Sequence, residues 1–212
     1  MTMATIAAIV VAYNSEATIE VCLQRLRAAG DVAEIRVVDN NSSDSTLDIV
    51  QLRHALADPR LRFIANPDNP GFAQACNQGA SASRAPWLAF VNPDCFVEAD
   101  TLAQLRAAAS AVGGGLVGAA LCDEDGVWDA AARRRDPQFA AMLHSARARD
   151  LSVPRDAAQA LQPVDAVSGA LMVLPRTLFE RIDGFDAGYR LHAEDLDLCP
   201  RVRASRAQVA CA

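Results

Sequence analysis

Two short apolar runs, Ile6–Tyr13 (IAAIVVAY) and Ile35–Asp39 (IRVVD), flank a stretch in which Ile19, Cys22, Leu23 and Leu26 recur at i, i+3, i+4 and i+7. Both runs are rich in β-branched residues and both stop at a polar turn, which is how strands buried on two faces read. The stretch between them carries the apolar stripe of a helix. A strand, a helix and a strand joined by short loops close as a parallel βαβ unit with a right-handed crossover. This unit constrains the chain more than any other feature.

The alternation continues. The pattern predicts a helix near Ser43–Leu56, a strand near Leu61–Ala65, a helix near Phe72–Ser83, a strand at Trp87–Val91 and a helix marked by Leu102, Leu105, Ala109 and Val112. In the third helix Phe72, Ala75, Cys76, Gly79 and Ala80 share one face, and so many small residues let its backbone lie close to a sheet. The expected fold class is therefore α/β, with a mostly parallel central sheet flanked by helices. Gly113-Gly114-Gly115 ends the fourth helix, Leu116–Leu121 reads as a strand, and Asp123–Gly126 has turn chemistry. Trp128–Gln162 is less regular, with room for a helix around Pro137–Ala148. Val164–Leu174 then reads as one strand and Arg176–Ile182 as a short helix.

Composition narrows the classes of function. The 212 residues are 51% hydrophobic with a net charge of -6, enough for one globular domain with a sizeable core. No long basic stripe is present, which argues against a nucleic-acid partner. No apolar run reaches the roughly 18–20 residues of a membrane span. Met1–Val11 lacks a basic leader and reads as a strand rather than a signal peptide. The six Cys lie mostly inside apolar patterns without metal-ligand spacing and read as buried thiols of a reducing cytoplasm.

In an open parallel sheet, ligands sit outside the carboxyl ends of the strands. The first strand ends in Ala12-Tyr13-Asn14, the second in Asp39-Asn40-Asn41-Ser42-Ser43-Asp44 and the fourth in Asn92-Pro93-Asp94. Asp39 is placed to accept from a ribose hydroxyl or a base N–H; capping the next helix is its other use, which Ser42 or Asp44 could serve instead. Asp94 offers a hard oxygen ligand for a divalent cation carrying diphosphate oxygens, with an Asx-type turn as the alternative. Tyr13-Asn14-Ser15-Glu16 contains neither the Gly-x-Gly-x-x-Gly of a dinucleotide fold nor the basic Gly-rich loop of a nucleotidyltransferase.

Taken together, Val11–Asn14, Val37–Asp44, Asn69-Pro70-Gly71-Phe72-Ala73-Gln74-Ala75-Cys76-Asn77-Gln78-Gly79 and Asn92-Pro93-Asp94 resemble family 2 glycosyltransferases of the GT-A fold, most closely the rhamnosyltransferase-like branch. The resemblance runs in family order from about Ile6 to Val202, and includes Val167–Met172, Gly184-Phe185-Asp186 and Glu194-Asp195. It implies that Ala12, Tyr13 and Asn14 border a nucleotide base, with Asp39 on the base or ribose. Gly71 and Asn77 would border the nucleotide-sugar, and Ser168 and Gly169 would belong to the substrate site. Asp94 would bind Mg²⁺ or Mn²⁺, Asn92 standing where the family's Asp-x-Asp has its first Asp. Asp195 would be the catalytic base, with Glu194 beside it.

The activity implied is inverting transfer of a sugar, for instance rhamnose, from a UDP- or dTDP-sugar to a hydroxyl of a cell-surface glycan or lipid-linked acceptor. The work would be done in the cytoplasm or at the cytoplasmic face of the membrane, with peripheral contact. Residues of about 1–95 would form the nucleotide-sugar half and about 96–212 the acceptor half of one domain. Pro200 is expected to stop or kink the Glu-Asp helix near Cys199, since it removes a hydrogen bond inside a helix. After Val202 neither the strand nor the His with which family members usually continue is expected, so the domain reads as short at that end. This motivates an alternative, a degenerate relative that binds a nucleotide without transferring sugar. His192 reads as structural, and Arg133–Arg135 as either an anion contact or a solvated loop.

Overall fold

Every residue of β1 (Ile6–Ala12) is apolar and every one is buried, because β1 lies in the middle of a sheet covered on both faces. The computed structural model describes residues 4–55, 57–123, 125–137, 150–189 and 193–212. From β1 the chain passes through α1 (Ile19–Ala28) to β2 (Val32–Asp39), then a short α2 (Thr46–Asp48) that widens into π-helical turns over Ile49–Ala55, and β3 (Leu61–Ala65). The sequence pattern predicts an ordinary α-helix there; the β-branched pair Ile49-Val50 crowds such a turn. Next come α3 (Phe72–Ser81), β4 (Trp87–Val91), α4 (Thr101–Ala111) and β5 (Leu116–Gly118).

The second half is built from shorter pieces: β6 (Arg133–Arg134), β7 (Gln162–Pro163), β8 (Ala166–Val167), β9 (Leu171–Pro175), α5 (Arg176–Arg181), α6 (Glu194–Ala204) and β10 (Val209–Cys211). Eight strands form one sheet in the order β3-β2-β1-β4-β9-β5-β10-β7, and β6 pairs with β8 in a separate two-stranded ladder. β3, β2, β1 and β4 are parallel. β9 is antiparallel to β4 and to β5, so it starts where β4 ends, with Leu171 beside Val91. The chain winds to one side of β1 through β2 and β3 and to the other through β4. That reversal opens a crevice at the carboxyl ends of β1 and β4.

Three expectations are corrected. Val164–Leu174 is two strands, not one: β8 joins the small ladder, Ser168-Gly169-Ala170 turns, and β9 crosses into the main sheet. Pro200 does not end α6, which runs on to Ala204. Burial of Leu198, Cys199 and Val202 in the core offsets the hydrogen bond that Pro200 cannot donate. A strand does follow, because β10 inserts between β5 and β7. The helix expected around Pro137–Ala148 lies, beyond Pro137, outside the described residues.

Two apolar layers cover the sheet. One packs α1 and α4 on residues such as Ile6, Val10 and Val37; the other packs α3, α5 and α6 on Ile9, Val38 and Phe90. The small face of α3 does what its sequence predicts. A Cβ on Gly79 would stand 2.5 Å from Ile9 Cγ2, so the helix backbone sits directly on β1.

Candidate active site

Register aligns the ends of three strands, with Ala12 beside Asp39 and Asp39 beside Ala65. Asp39 is 1% exposed. Its carboxylate accepts from the Ser42 N–H at 3.0 Å and the Ser42 hydroxyl at 2.6 Å, which folds the loop back over the strand end. Asp44, just ahead of α2, accepts from the Thr46 N–H and the Glu16 N–H at 3.0 Å each, and these bonds hold its carboxyl below the usual range.

Asn14, at φ 50, is one of the few non-glycine residues in the left-handed region. That conformation points its Oδ1 at the Ser43 N–H, 2.8 Å away, while its own N–H donates to Ser42 Oγ at 2.9 Å. The β1 and β2 loops are thus fastened together, and Tyr13, at the start of the β1 loop, is 54% exposed. A polar chain continues from Asn40, whose Nδ2 donates to the Gly71 carbonyl at 3.2 Å and to Asn69 Oδ1 at 3.3 Å. Asn66 links Asn40 to Gln78, with 2.9 Å to each. Gly71 itself, at φ 96, turns the chain into α3, a conformation that favours glycine. Asn40 and Gln78 lie inside the quoted motifs without a role assigned to them there, and Asn66 lies outside every motif, its only signal an amide directly after β3.

At the end of β4 the Asn92 N–H donates to the Ala170 carbonyl at 2.8 Å, bringing the turn before β9 onto this rim. A cavity of about 310 Å³ opens there, lined by Asn92, Ser168, Gly169, Glu194 and Asp195 together with Phe72 and Arg134. Residues more than a hundred positions apart in sequence therefore share one wall. Asp195 lies in the first turn of α6, 9% exposed, and accepts from the Gly169 N–H at 2.9 Å and from Arg134 Nη2. Ala193, at φ 66, carries the chain into α6 in a strained left-handed conformation.

Asp94 is exposed, and among the described residues its carboxylate has no hydrogen bond or ion pair. No group of three His, Cys, Asp or Glu side chains able to hold a metal occurs among the described residues. One carboxylate beside an amide suits a cation that brings its own diphosphate oxygens, rather than one caged by protein.

Asn77 is not brought to this cavity. Its amide bonds the backbone of Phe185, and it lines a separate groove of about 360 Å³ with Arg176, Phe179 and Gly184. His192 lies outside the described residues. Arg133–Arg135 is not a uniformly solvated loop: Arg133 is buried, Arg134 pairs with Asp195, and Arg135 donates to the Ser152 carbonyl at 2.7 Å. A larger cavity, about 510 Å³, lies near Arg36 and the carboxyl end of α3. Arg36 donates to the backbone carbonyls of Ala82, Ile35 and Arg60 and pairs with Glu34, so this basic cluster is explained by helix and strand ends.

The family model for glycosyl transferase family 2 matches residues 7–180. Among curated proteins, the succinoglycan biosynthesis protein ExoO of Rhizobium meliloti is 38% identical over 106 residues, which is 50% of this chain and 30% of that protein. The chain thus spans under a third of this relative's length. Among solved structures, the mannosyltransferase PcManGT from Pyrobaculum calidifontis, in complex with GDP-Man and Mn²⁺, has a TM-score of 0.69 at 21% identity, covering 100% of this chain and 57% of that one. S. aureus TarS in complex with UDP-GlcNAc has a TM-score of 0.65 at 19% identity, covering 98% and 56%. The architecture shared with them is the GT-A fold.

Proposed function

The chain belongs to glycosyl transferase family 2, and we propose that it moves a sugar from a nucleoside-diphosphate donor to an acceptor hydroxyl. One observation carries this reading: Asn92, Ser168, Gly169, Glu194 and Asp195, from three separate parts of the chain, line a single cavity at the carboxyl end of β4. The nucleotide would lie along the neighbouring strand ends, over Ala12, Tyr13, Asn14, Asp39 and Gly71. Asn77 is assigned to holding the Phe185 loop. In this reading residues of about 1–95 serve the donor and about 96–212 the acceptor.

Asp195 would take the proton of the acceptor hydroxyl as its oxygen forms a bond to the anomeric carbon. On the opposite face the bond from that carbon to the diphosphate breaks, and the electron pair leaves with the diphosphate, so configuration inverts. Asp94 would hold a Mg²⁺ or Mn²⁺ ion, which when bound offsets charge on the departing diphosphate. Ala12 and Asp39 are fixed by the sheet, so the donor side needs little reorganisation.

The NPGFAQACNQG and NPD sequences support a rhamnosyltransferase-like specificity with a dTDP- or UDP-sugar, and relatives such as ExoO support a role in surface polysaccharide synthesis. No helix among the described residues is long and apolar enough to cross a membrane; in this reading a lipid-linked acceptor would be met at the cytoplasmic face. Calorimetric titration with UDP and dTDP, with and without Mn²⁺ or Mg²⁺, tests the donor site. Saturable binding of one of them is expected; no binding of either under any of these conditions would sink the proposal.

A further inference from the structure

Building on the transferase reading, we infer that Arg134 is a positioning residue for Asp195, clamping one carboxylate oxygen so that the other is presented to the acceptor hydroxyl. Both contacts on Asp195 fall on Oδ2: the Gly169 N–H at 2.9 Å and Arg134 Nη2. Oδ1 has no partner among the described residues, and Asp195 lines the cavity. The same Arg134 Nη2 also donates to the Val167 carbonyl at 2.7 Å. One guanidinium nitrogen thereby ties the carboxylate to the backbone of the turn that carries Ser168 and Gly169.

The arrangement is built by the fold. Arg134 pairs in register with Ala166 in the β6–β8 ladder, and Asp195 sits at the start of α6, so two elements distant in sequence meet at this pair. The side chains are 16% and 13% exposed. Desolvating two charges makes such a pair a poor source of stability, since apolar residues of similar volume often do as well. A fixed position for Oδ2 is what it supplies, because two donors from separate elements hold that one oxygen where a solvated carboxylate would turn freely. Arg134 lies in a part of the chain where sequence reasoning found only a basic cluster.

The test compares wild type, Arg134→Ala, Arg134→Gln and Arg134→Lys in sugar transfer, with circular dichroism and nucleotide binding as controls on the fold. We expect kcat to fall at least 50-fold in Arg134→Ala and Arg134→Gln while donor affinity and acceptor KM change less than threefold. Millimolar guanidinium should return at least tenfold of the lost activity to Arg134→Ala, and Arg134→Lys should retain more activity than Arg134→Gln. Turnover of Arg134→Ala within threefold of wild type, or a raised acceptor KM at unchanged kcat, overturns the inference, the latter because Arg134 would then bind acceptor directly. Loss of kcat with no recovery in guanidinium and no advantage for Arg134→Lys also overturns it. A folded wild type with no turnover on any acceptor removes the transferase reading first and this inference with it. Active wild type with unaffected variants removes this inference alone.

Discussion

The side-chain amide of Asn77 donates from Nδ2 to the Phe185 carbonyl at 2.8 Å and accepts at Oδ1 from the Phe185 N–H at 3.0 Å, a two-bond clasp between residues 108 apart in sequence. Phe185 is buried, with its ring 5.0 Å from Phe90 and 5.8 Å from Phe179, so the clasp fixes the Gly184-Phe185-Asp186 loop over the core. Asn77→Ala would leave both backbone groups of Phe185 unpaired, at a cost of about 2 kcal/mol. The urea midpoint should fall with little change in slope. Asn77→Asp, which sets a carboxylate oxygen against the Phe185 carbonyl in place of a donor, should lower the midpoint at least as far. A midpoint unchanged in Asn77→Ala would show that the clasp contributes nothing.

The thiols set an alkaline limit on stability. Burial pushes Cys22 and Cys199 each up to about 12 and Cys95 to about 11, and raises Cys76 well above its ordinary value. In the unfolded chain these thiols ionise near pH 8.5, whereas the folded protein keeps them protonated to higher pH. The folded state then binds more protons than the unfolded state, so stability falls as pH rises from about 8.5 toward the folded values. The slope approaches 1.4 kcal/mol per pH unit for each thiol. With no Lys and only two Tyr in the sequence, few other groups titrate in this window. Denaturation curves at pH 7.5, 8.5, 9.5 and 10.5 should show the decline, and Cys22→Ala should flatten it. A midpoint constant to pH 10.5 would contradict the burial of these thiols.

Much of the parallel half of the fold was legible because local pattern and final environment agree. β3 and β4 fall where β-branched and apolar runs ended in turns, and the small face of α3 lies on Ile9 and Val38 as its composition implies. The acceptor-side half was less legible because its elements are two or three residues long and are decided by distant partners. Val164–Leu174 reads as one strand until β6 captures Ala166–Val167 and Asp195 captures the Gly169 N–H. β10 is three residues, too short for a period, and becomes a strand only between β5 and β7. At the candidate site, the motifs marked Asp94, Asp195 and Gly169. The Arg134 contact, made across 61 positions, left no trace in local spacing.

Asp94 is exposed on the turn after β4 and has no partner to lose among the described residues. Asp94→Asn should therefore change folding stability by less than about 0.5 kcal/mol. Under the proposed function it should weaken binding of the nucleoside diphosphate at least tenfold in the presence of Mn²⁺ while leaving metal-free binding nearly unchanged. Calorimetry under both conditions separates these effects. Equal weakening with and without the metal would mean that Asp94 touches the nucleotide by another route.

Asp195→Asn should separate chemistry from binding and charge from shape. The amide keeps an oxygen that can accept from the Gly169 N–H, so the turn before β9 should hold, but it cannot take a proton from the acceptor. Transfer should drop by about 10²–10⁴-fold, the range of a lost general base, with nucleoside-diphosphate affinity within twofold of wild type. Removing the carboxylate also strands the guanidinium of Arg134 in a site where it is 16% exposed, a loss of about 3 kcal/mol. Arg134→Gln combined with Asp195→Asn removes both charges and should recover much of that stability without recovering activity. Urea denaturation of the two single variants and the double variant, set beside their turnover, measures both quantities on the same proteins. Restored stability with absent turnover is the expected pattern. Appreciable turnover in Asp195→Asn would instead move the base to another carboxylate of the cavity, for which Glu194 is the adjacent candidate.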